Sequence, residues 1–190
     1  QSLRRFDQSS GSGDGRFWSE ELARPLWTAE LSLADRHAGL AQQLEAKIDG
    51  LDGSRNTFLF ADPTYSGPSS GTSGLGGVTI STISADRSRI GLSGLPSGFE
   101  LQPGDRFTIS HGTAGVYLGR FSEVVTANGS GVTANREVRP FLPFGVSTGA
   151  AVELVRPYFK AFVVSYTPFD FDLPRGEIAR GGTMQLMQKP

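Results

Sequence analysis

Nucleophilic catalysis needs a base within reach of the nucleophile, and the chain has two histidines for that role, His37 and His111. His111 directly follows Ser110. Neighbours on a strand point to opposite faces, so the two form a dyad only if a turn intervenes. His37 falls in a predicted helix, where a surface or capping role is the simpler account. There is no cysteine and no H-x-x-x-H or H-x-H spacing, so a metal site would rest on carboxylates. Asp170 and Asp172, in Phe169-Asp170-Phe171-Asp172-Leu173, would share one face of a strand, with both phenylalanines on the other. Such a pair could bind calcium or do acid–base work, together or with Glu177. Nothing nearby adds the further oxygens calcium requires, and an edge strand with one wet face explains the pattern.

Glycine-rich stretches invite a phosphate-loop reading. Gly11-Ser12-Gly13-Asp14-Gly15-Arg16 and Gly74-Leu75-Gly76-Gly77 both fail it on context, since neither follows a strand and opens a helix. Asn128-Gly129-Ser130 matches a glycosylation acceptor and, better, a hairpin turn. No catalytic, cofactor-binding or metal-binding residue is assigned, and no cofactor is expected.

The elements that would carry such residues are short. Twenty-five glycines and 11 prolines in 190 residues punctuate the chain too often for long helices, but not for strands. One helix is predicted, at about 35–49, with Asp35 as N-cap, Gly50 at its C-terminal end, and Leu40, Leu44, Ile48 and Leu51 as a stripe against a sheet. Before it, Leu26–Leu33 alternates with period two; after it, Thr57–Ala61 is short and aromatic, and Asp62-Pro63 ends it. Residues 64–77 have almost nothing to bury. Strands alone follow, at about 78–83, 90–92, 106–110, 116–118, 121–126, 132–138, 151–155, 160–166 and 184–187. Asn128-Gly129 is predicted to join two of them as a hairpin.

The expected fold is therefore mainly β (α+β). A strand–helix–strand unit over 24–66 is followed by a glycine/serine-rich linker over 67–77 and a small antiparallel β-barrel or sandwich over 78–190. Residues 1–23 read as a flexible arm. Hydrophobic residues at 37% suffice for a core, and 13 phenylalanines should supply much of the burial. A net charge of −1 argues against nucleic acid as the main ligand, which needs a basic face. The basic residues are 15 Arg against 3 Lys, a bias that favours interfaces. No run approaches the ~18 apolar residues of a membrane span. A soluble protein made in a cytoplasm, with no membrane partner, is expected.

The order of several short motifs resembles a family of small tail proteins encoded by tailed phages and prophages of proteobacteria. Pro25-Leu26-Trp27-Thr28-Ala29-Glu30-Leu31 stands for its tryptophan strand, and Phe58-Leu59-Phe60-Ala61-Asp62-Pro63 for its aromatic strand. Gln102-Pro103-Gly104-Asp105-Arg106-Phe107 fills its turn, and the hairpin region runs from Val124 to Arg136. Arg139-Pro140-Phe141-Leu142-Pro143 and Val155-Arg156-Pro157 complete the series. The likeness spans most of residues 24–166 and departs from the pattern at Arg106 and in the glycine-rich N-terminal segment. The family is similar to distal-tail or baseplate-ring proteins. The resemblance implies a virion structural protein made in the cytoplasm of a bacterial host, a homo-oligomer forming a hexameric ring, with the tail tube and hub as partners and no catalytic residues. Apolar loop residues are the candidate interface: Phe141, Leu142 and Phe144, then Tyr158 and Phe159, and Phe17 and Trp18 after the arm. The alternatives are a carbohydrate-binding module for host recognition, a head–tail or tail-terminator connector, and a glycan- or peptide-cleaving tail enzyme using Asp170 with Asp172 or Glu177.

Overall fold

A computed structural model describes residues 1–11, 13, 15–171 and 177–189. The chain runs through β1 (Ser2–Gly11), β2 (Phe17–Ser32), β3 (Arg36–His37), α1 (Ala38–Asp49) and β4 (Phe58–Ala61). It continues through β5 (Thr79–Ile83), β6 (Arg89–Ser93), β7 (Glu100–Leu101), β8 (Arg106–His111), β9 (Gly115–Phe121), β10 (Val125–Thr126), β11 (Arg136–Arg139) and β12 (Val152–Glu153). It ends with β13 (Tyr158–Thr167), β14 (Asp170–Phe171), β15 (Ile178–Arg180) and β16 (Thr183–Gln188). The protein is mainly β, as its punctuation by glycine and proline predicts.

Two compact units share this chain, and their boundaries differ from the expected ones. One unit is Gln1–Leu59 with Lys160–Lys189, and the other is Phe60–Phe159. Residues 67–77 are not a linker between domains, because the segment from Phe60 onward packs with the barrel. Leu75 is buried in the barrel core. The Tyr65 hydroxyl accepts the Arg106 amide hydrogen at 3.0 Å, and Asp62 holds the Arg106 guanidinium at 2.7 Å.

In the Phe60–Phe159 unit, six strands lie in the order β12-β8-β9-β11-β6-β5. Every pairing between them is antiparallel. A bridge between Thr79 and Ala151 links the two ends, with Ile80 N donating to Ala150 O and Val152 N to Val78 O. An even number of antiparallel pairings allows this closure, and the result is a nearly closed small barrel. Alternate residues fill it: Ile90 and Leu92, Phe107 and Ile109, Tyr117 and Phe121, Val138, Val152 and Leu154. Gly119 lies opposite Phe107, leaving room for a ring that contacts Tyr117 at 5.9 Å and Phe121 at 4.7 Å.

Asn128-Gly129 makes a turn but not the expected hairpin. Asn128 is the first residue of the turn, its Oδ1 accepting from the amides of Ser130 and Val132, and Gly131 closes it at φ +73. The strands on either side pair elsewhere, β10 with β7 and β11 with β6 and β9. The segment expected as a strand from 132 is strand only from Arg136.

The other unit carries an open sheet in the order β1-β2-β16-β13-β4. Trp27, Ala29, Ala161, Val163 and Leu186 are buried in this unit, and Gln188 Oε1 accepts the Trp27 amide hydrogen. A smaller sheet, β14-β15-β3, packs with the helix through Phe169, Ala179 and Ala41. The helix starts at Ala38, later than predicted, because Arg36 and His37 are drawn into β3 against Ile178 and Ala179. His37, not Asp35, is its N-cap and makes no side-chain cap. Ala41 and Ile48 carry its burial, whereas Leu40 is exposed. The strands flanking α1, β2 and β4, share a sheet without being neighbours, so no local strand–helix–strand unit exists.

Residues 1–23, expected as a flexible arm, form most of an antiparallel ribbon. β1 pairs with β2 from Ser2↔Thr28 to Gly11↔Phe17. Pro25 does not interrupt it, because the register shifts there: Arg24 and Pro25 lie opposite Arg5 alone, between Arg4↔Leu26 and Phe6↔Ala23. Such a bulge accepts a residue with no amide hydrogen.

Candidate interaction surface

The ribbon sets the geometry of the first candidate site. Its inner end joins the sheet through Trp27, which is 1% exposed. From Asp7 to Gly11 and from Phe17 to Arg24 every side chain is exposed. The paired stretch from Phe6↔Ala23 to Gly11↔Phe17 is about 17 Å long at ~3.4 Å per residue. Directly opposed residues share a face. Asp7, Ser9 and Gly11 thus line up with Glu21, Ser19 and Phe17 on one face, and Gln8 and Ser10 with Glu20 and Trp18 on the other. Phe17 covers Gly11 and is 78% exposed; Trp18 is 65% exposed. Within Asp7–Gly11 and Phe17–Glu21 there are three carboxylates and no cation. Asp7 and Glu21, directly opposed, repel each other across the ladder.

The second candidate is the loop after β11. Phe144 is 84% exposed with the Arg87 guanidinium 5.5 Å from its ring centre, and Phe141 is half exposed with Arg139 at 4.4 Å. Arg87 organises this loop. Its guanidinium donates to the carbonyls of Leu142, Pro143 and Val146, and its own carbonyl accepts from the Leu142 amide. Arg87 does this from a left-handed backbone, φ +59. Leu142, expected at the interface, is instead 1% exposed and part of the barrel core, turned inward by this clamp. Phe159 is likewise fully buried, edge-on to Phe60 at 5.5 Å. Tyr158 is half-buried, its backbone tied to the Thr108 hydroxyl and its phenol 3.4 Å from Ser110 Oγ.

Across the outside of the barrel, Arg106, Arg120 and Arg139 are opposed in a row over β8, β9 and β11. Like charges so placed repel, and carboxylates stand against this row, Asp62 beside Arg106 and Glu137 beside Arg139. Partial burial pushes the Asp62 pKa up. Hydrogen bonds from Thr64 and Arg106 outweigh it and hold the carboxyl at about 2. Burial pushes the Tyr117 phenol far above its ordinary value, and its hydroxyl donates to the Pro140 carbonyl.

The residues singled out for chemistry are dispersed. Ser110 is exposed beside Tyr158. His111 lies against Gly115 and Gly145, where a methyl group on either glycine would collide with its ring. Burial lowers the His111 pKa. Asp170 is exposed and opposite Arg180, while Phe169 and Phe171 pack toward α1 on the other face. Asp172 lies outside the described residues, as do Ser12 and Asp14. Glu177 is exposed, and its carbonyl accepts the Ala38 amide hydrogen. Among the described residues no group of three His, Asp or Glu is placed to hold a metal ion, and no helix is long and apolar enough to cross a membrane.

Sequence reasoning passed over Arg87, and nothing in Asp86-Arg87-Ser88 marks a left-handed arginine. The ribbon's carboxylates were equally silent, since their opposition exists only once β1 and β2 are in register. No protein-family model matches the chain, and no curated protein matches it either.

Proposed function

We propose that the chain is a structural subunit of a bacteriophage tail tip, a distal-tail type protein that assembles with copies of itself and with other tail proteins. The observation that carries the assembly part is the β1–β2 ribbon, which projects two aromatic side chains and covers neither. A two-stranded ribbon is marginally stable alone in water, and its open backbone edge is a template for another chain. A ribbon that is instead part of a neighbour's surface meets both needs. The tail setting, the virion location and a ring of six rest on the order of motifs from Pro25 to Pro157.

In the sheet order, the ribbon extends one end and β4 forms the other. Contacts between different surfaces of identical subunits run head to tail and form a ring where the rotation between copies closes. The test is the native mass and electron micrographs of the purified chain, with and without residues 6–22. Ring-shaped oligomers that revert to monomers on deletion are the expected result. An intact chain that stays monomeric at all concentrations and is missing from purified phage particles refutes the proposal.

A host-surface binding module is the second reading, favoured by Phe144 and Phe141 exposed beside Arg87 and Arg139. Loss of glycan binding on replacing both phenylalanines, with assembly intact, would select it.

A further inference from the structure

The unit that bears the ribbon also bears an open groove beside its helix. Leu44, Ile48 and Leu51 from the helix and the turn after it, Phe58 from β4 and Met184 from β16 line an open apolar groove of about 210 Å³. Lys47 stands at this groove with its side chain exposed. A cavity of ~150 Å³ already accepts a benzene ring, so the groove has room for one indole.

We infer that the groove receives Trp18 from the ribbon of a second copy of this chain, with Glu20 of that ribbon meeting Lys47. Three observations select this occupant. Trp18 and Glu20 are two residues apart on one face of the ribbon, opposite Ser10 and Gln8, so one approach delivers both an apolar ring and a carboxylate. The groove offers the matching pair, an apolar floor beside one ammonium group. Glu20 belongs to a stretch with three carboxylates and no cation between Asp7–Gly11 and Phe17–Glu21, and Lys47 is the one charged residue among those lining the groove. Within one copy Trp18 is 65% exposed, so it is not seated in its own groove.

The topology agrees with a second copy. The ribbon departs from the β1–β2 edge of the sheet, whereas the groove is lined by the helix, by Phe58 of the edge strand β4 and by Met184 of the central strand β16. Donor and acceptor are thus different surfaces of the chain, and a contact between them runs head to tail from copy to copy. The inference deepens the proposed assembly role and rests on it.

The absence of cysteine makes the test clean. Full-length Glu20→Cys and Lys47→Cys proteins, each substituted at an exposed position, are mixed and oxidised. A covalent dimer is expected from the mixture and not from either protein alone. Trp18→Ala should weaken self-association by roughly 10- to 100-fold, the equivalent of withdrawing one large aromatic side chain from burial. In a Trp27→Phe background Trp18 is the only tryptophan, and its emission should shift to the blue as concentration rises. Oligomers that form with no mixed cross-link and with Trp18→Ala associating normally overturn the inference, leave the groove to another occupant, and leave the assembly role standing. A chain that never self-associates overturns both.

Discussion

Gly119 lies under two buried aromatic rings of the barrel, and replacing it with alanine tests their packing directly. A methyl group there would lie 2.8 Å from Phe107 Cε1 and from Tyr117 Cε1, and closer still to Phe107 Cζ. Real side-chain carbons do not approach so closely, so a ring must move. Phe107 is fully buried and held against Phe121 at 4.7 Å, while Tyr117 is 4% exposed and tied to the Pro140 carbonyl. Neither can retreat into solvent. The cost should match other cases of overpacking, about 1–3 kcal/mol. For a unit of this size each kcal/mol lowers Tm by roughly 4–8 °C. Thermal and urea unfolding of Gly119→Ala, followed by circular dichroism, measure it. Phe107→Leu should also destabilise on its own, by leaving a void. Combined with Gly119→Ala it should cost less than the sum of the two, because the smaller side chain vacates the space the methyl needs. A Gly119→Ala protein as stable as the parent, or a strictly additive double variant, would refute the placement of Phe107 over Gly119.

Two further outcomes follow from the charged groups of the barrel. The Asp62 carboxyl is held at about 2 against an ordinary 3.8, so its stabilisation is fully present above that ordinary value and is lost as pH falls toward 2. Asp62→Asn should therefore cost about 1–3 kcal/mol at neutral pH and flatten the loss of stability between pH 4 and pH 2; an unchanged acid profile counts against the Arg106 pairing. Arg87→Ala removes a guanidinium shared by three carbonyls and should destabilise by about 1.5–3 kcal/mol. It should also speed amide exchange at Leu142 and Val146, and protection left intact there would show that the loop does not depend on Arg87.

The parts of this fold that are legible in the sequence are those decided by neighbours in the chain. Period-two alternation finds Val78–Ile83, where Val78 and Ile80 are buried between less buried neighbours, the Pro103-Gly104 turn announces Arg106–Ser110, and Gly50 correctly marks the end of the helix region. The rest depends on distant partners. Residues 1–23 show no alternation between buried and exposed positions, because both faces of the ribbon are exposed beyond Phe6. Asp35 has the chemistry of an N-cap, but pairing of Arg36 and His37 with β15 moves the helix start. The return of β13 and β16 to the first unit separates β2 from β4, and no local pattern announces it. Among the candidate interface residues, exposure divides a single run. Phe141 and Phe144 face outward while Leu142 turns in, a choice made by Arg87, more than 50 residues away.

The two units solve the problem of strand edges in different ways, and this assigns them different tasks. A nearly closed barrel leaves little edge to offer, whereas an open sheet ending in β1 and β4 offers two. The proposed self-association would then belong to the sheet unit, and the barrel should behave as an independent insertion. Its two ends support this. The chain enters the barrel at Phe60 and leaves at Phe159, whose rings are 5.5 Å apart. Adjacent ends are what an inserted domain requires to fold without its host. The barrel also has its own core, centred on Ile90, Leu92, Phe107, Ile109, Phe121 and Val138. Residues 60–159 expressed alone should thus give a monomer with one cooperative melting transition, at a temperature independent of concentration. If the fragment self-associates, assembly does not belong to the sheet edges. If it melts without cooperativity, the barrel needs the other unit to fold, and the division of labour argued from its closed edges fails.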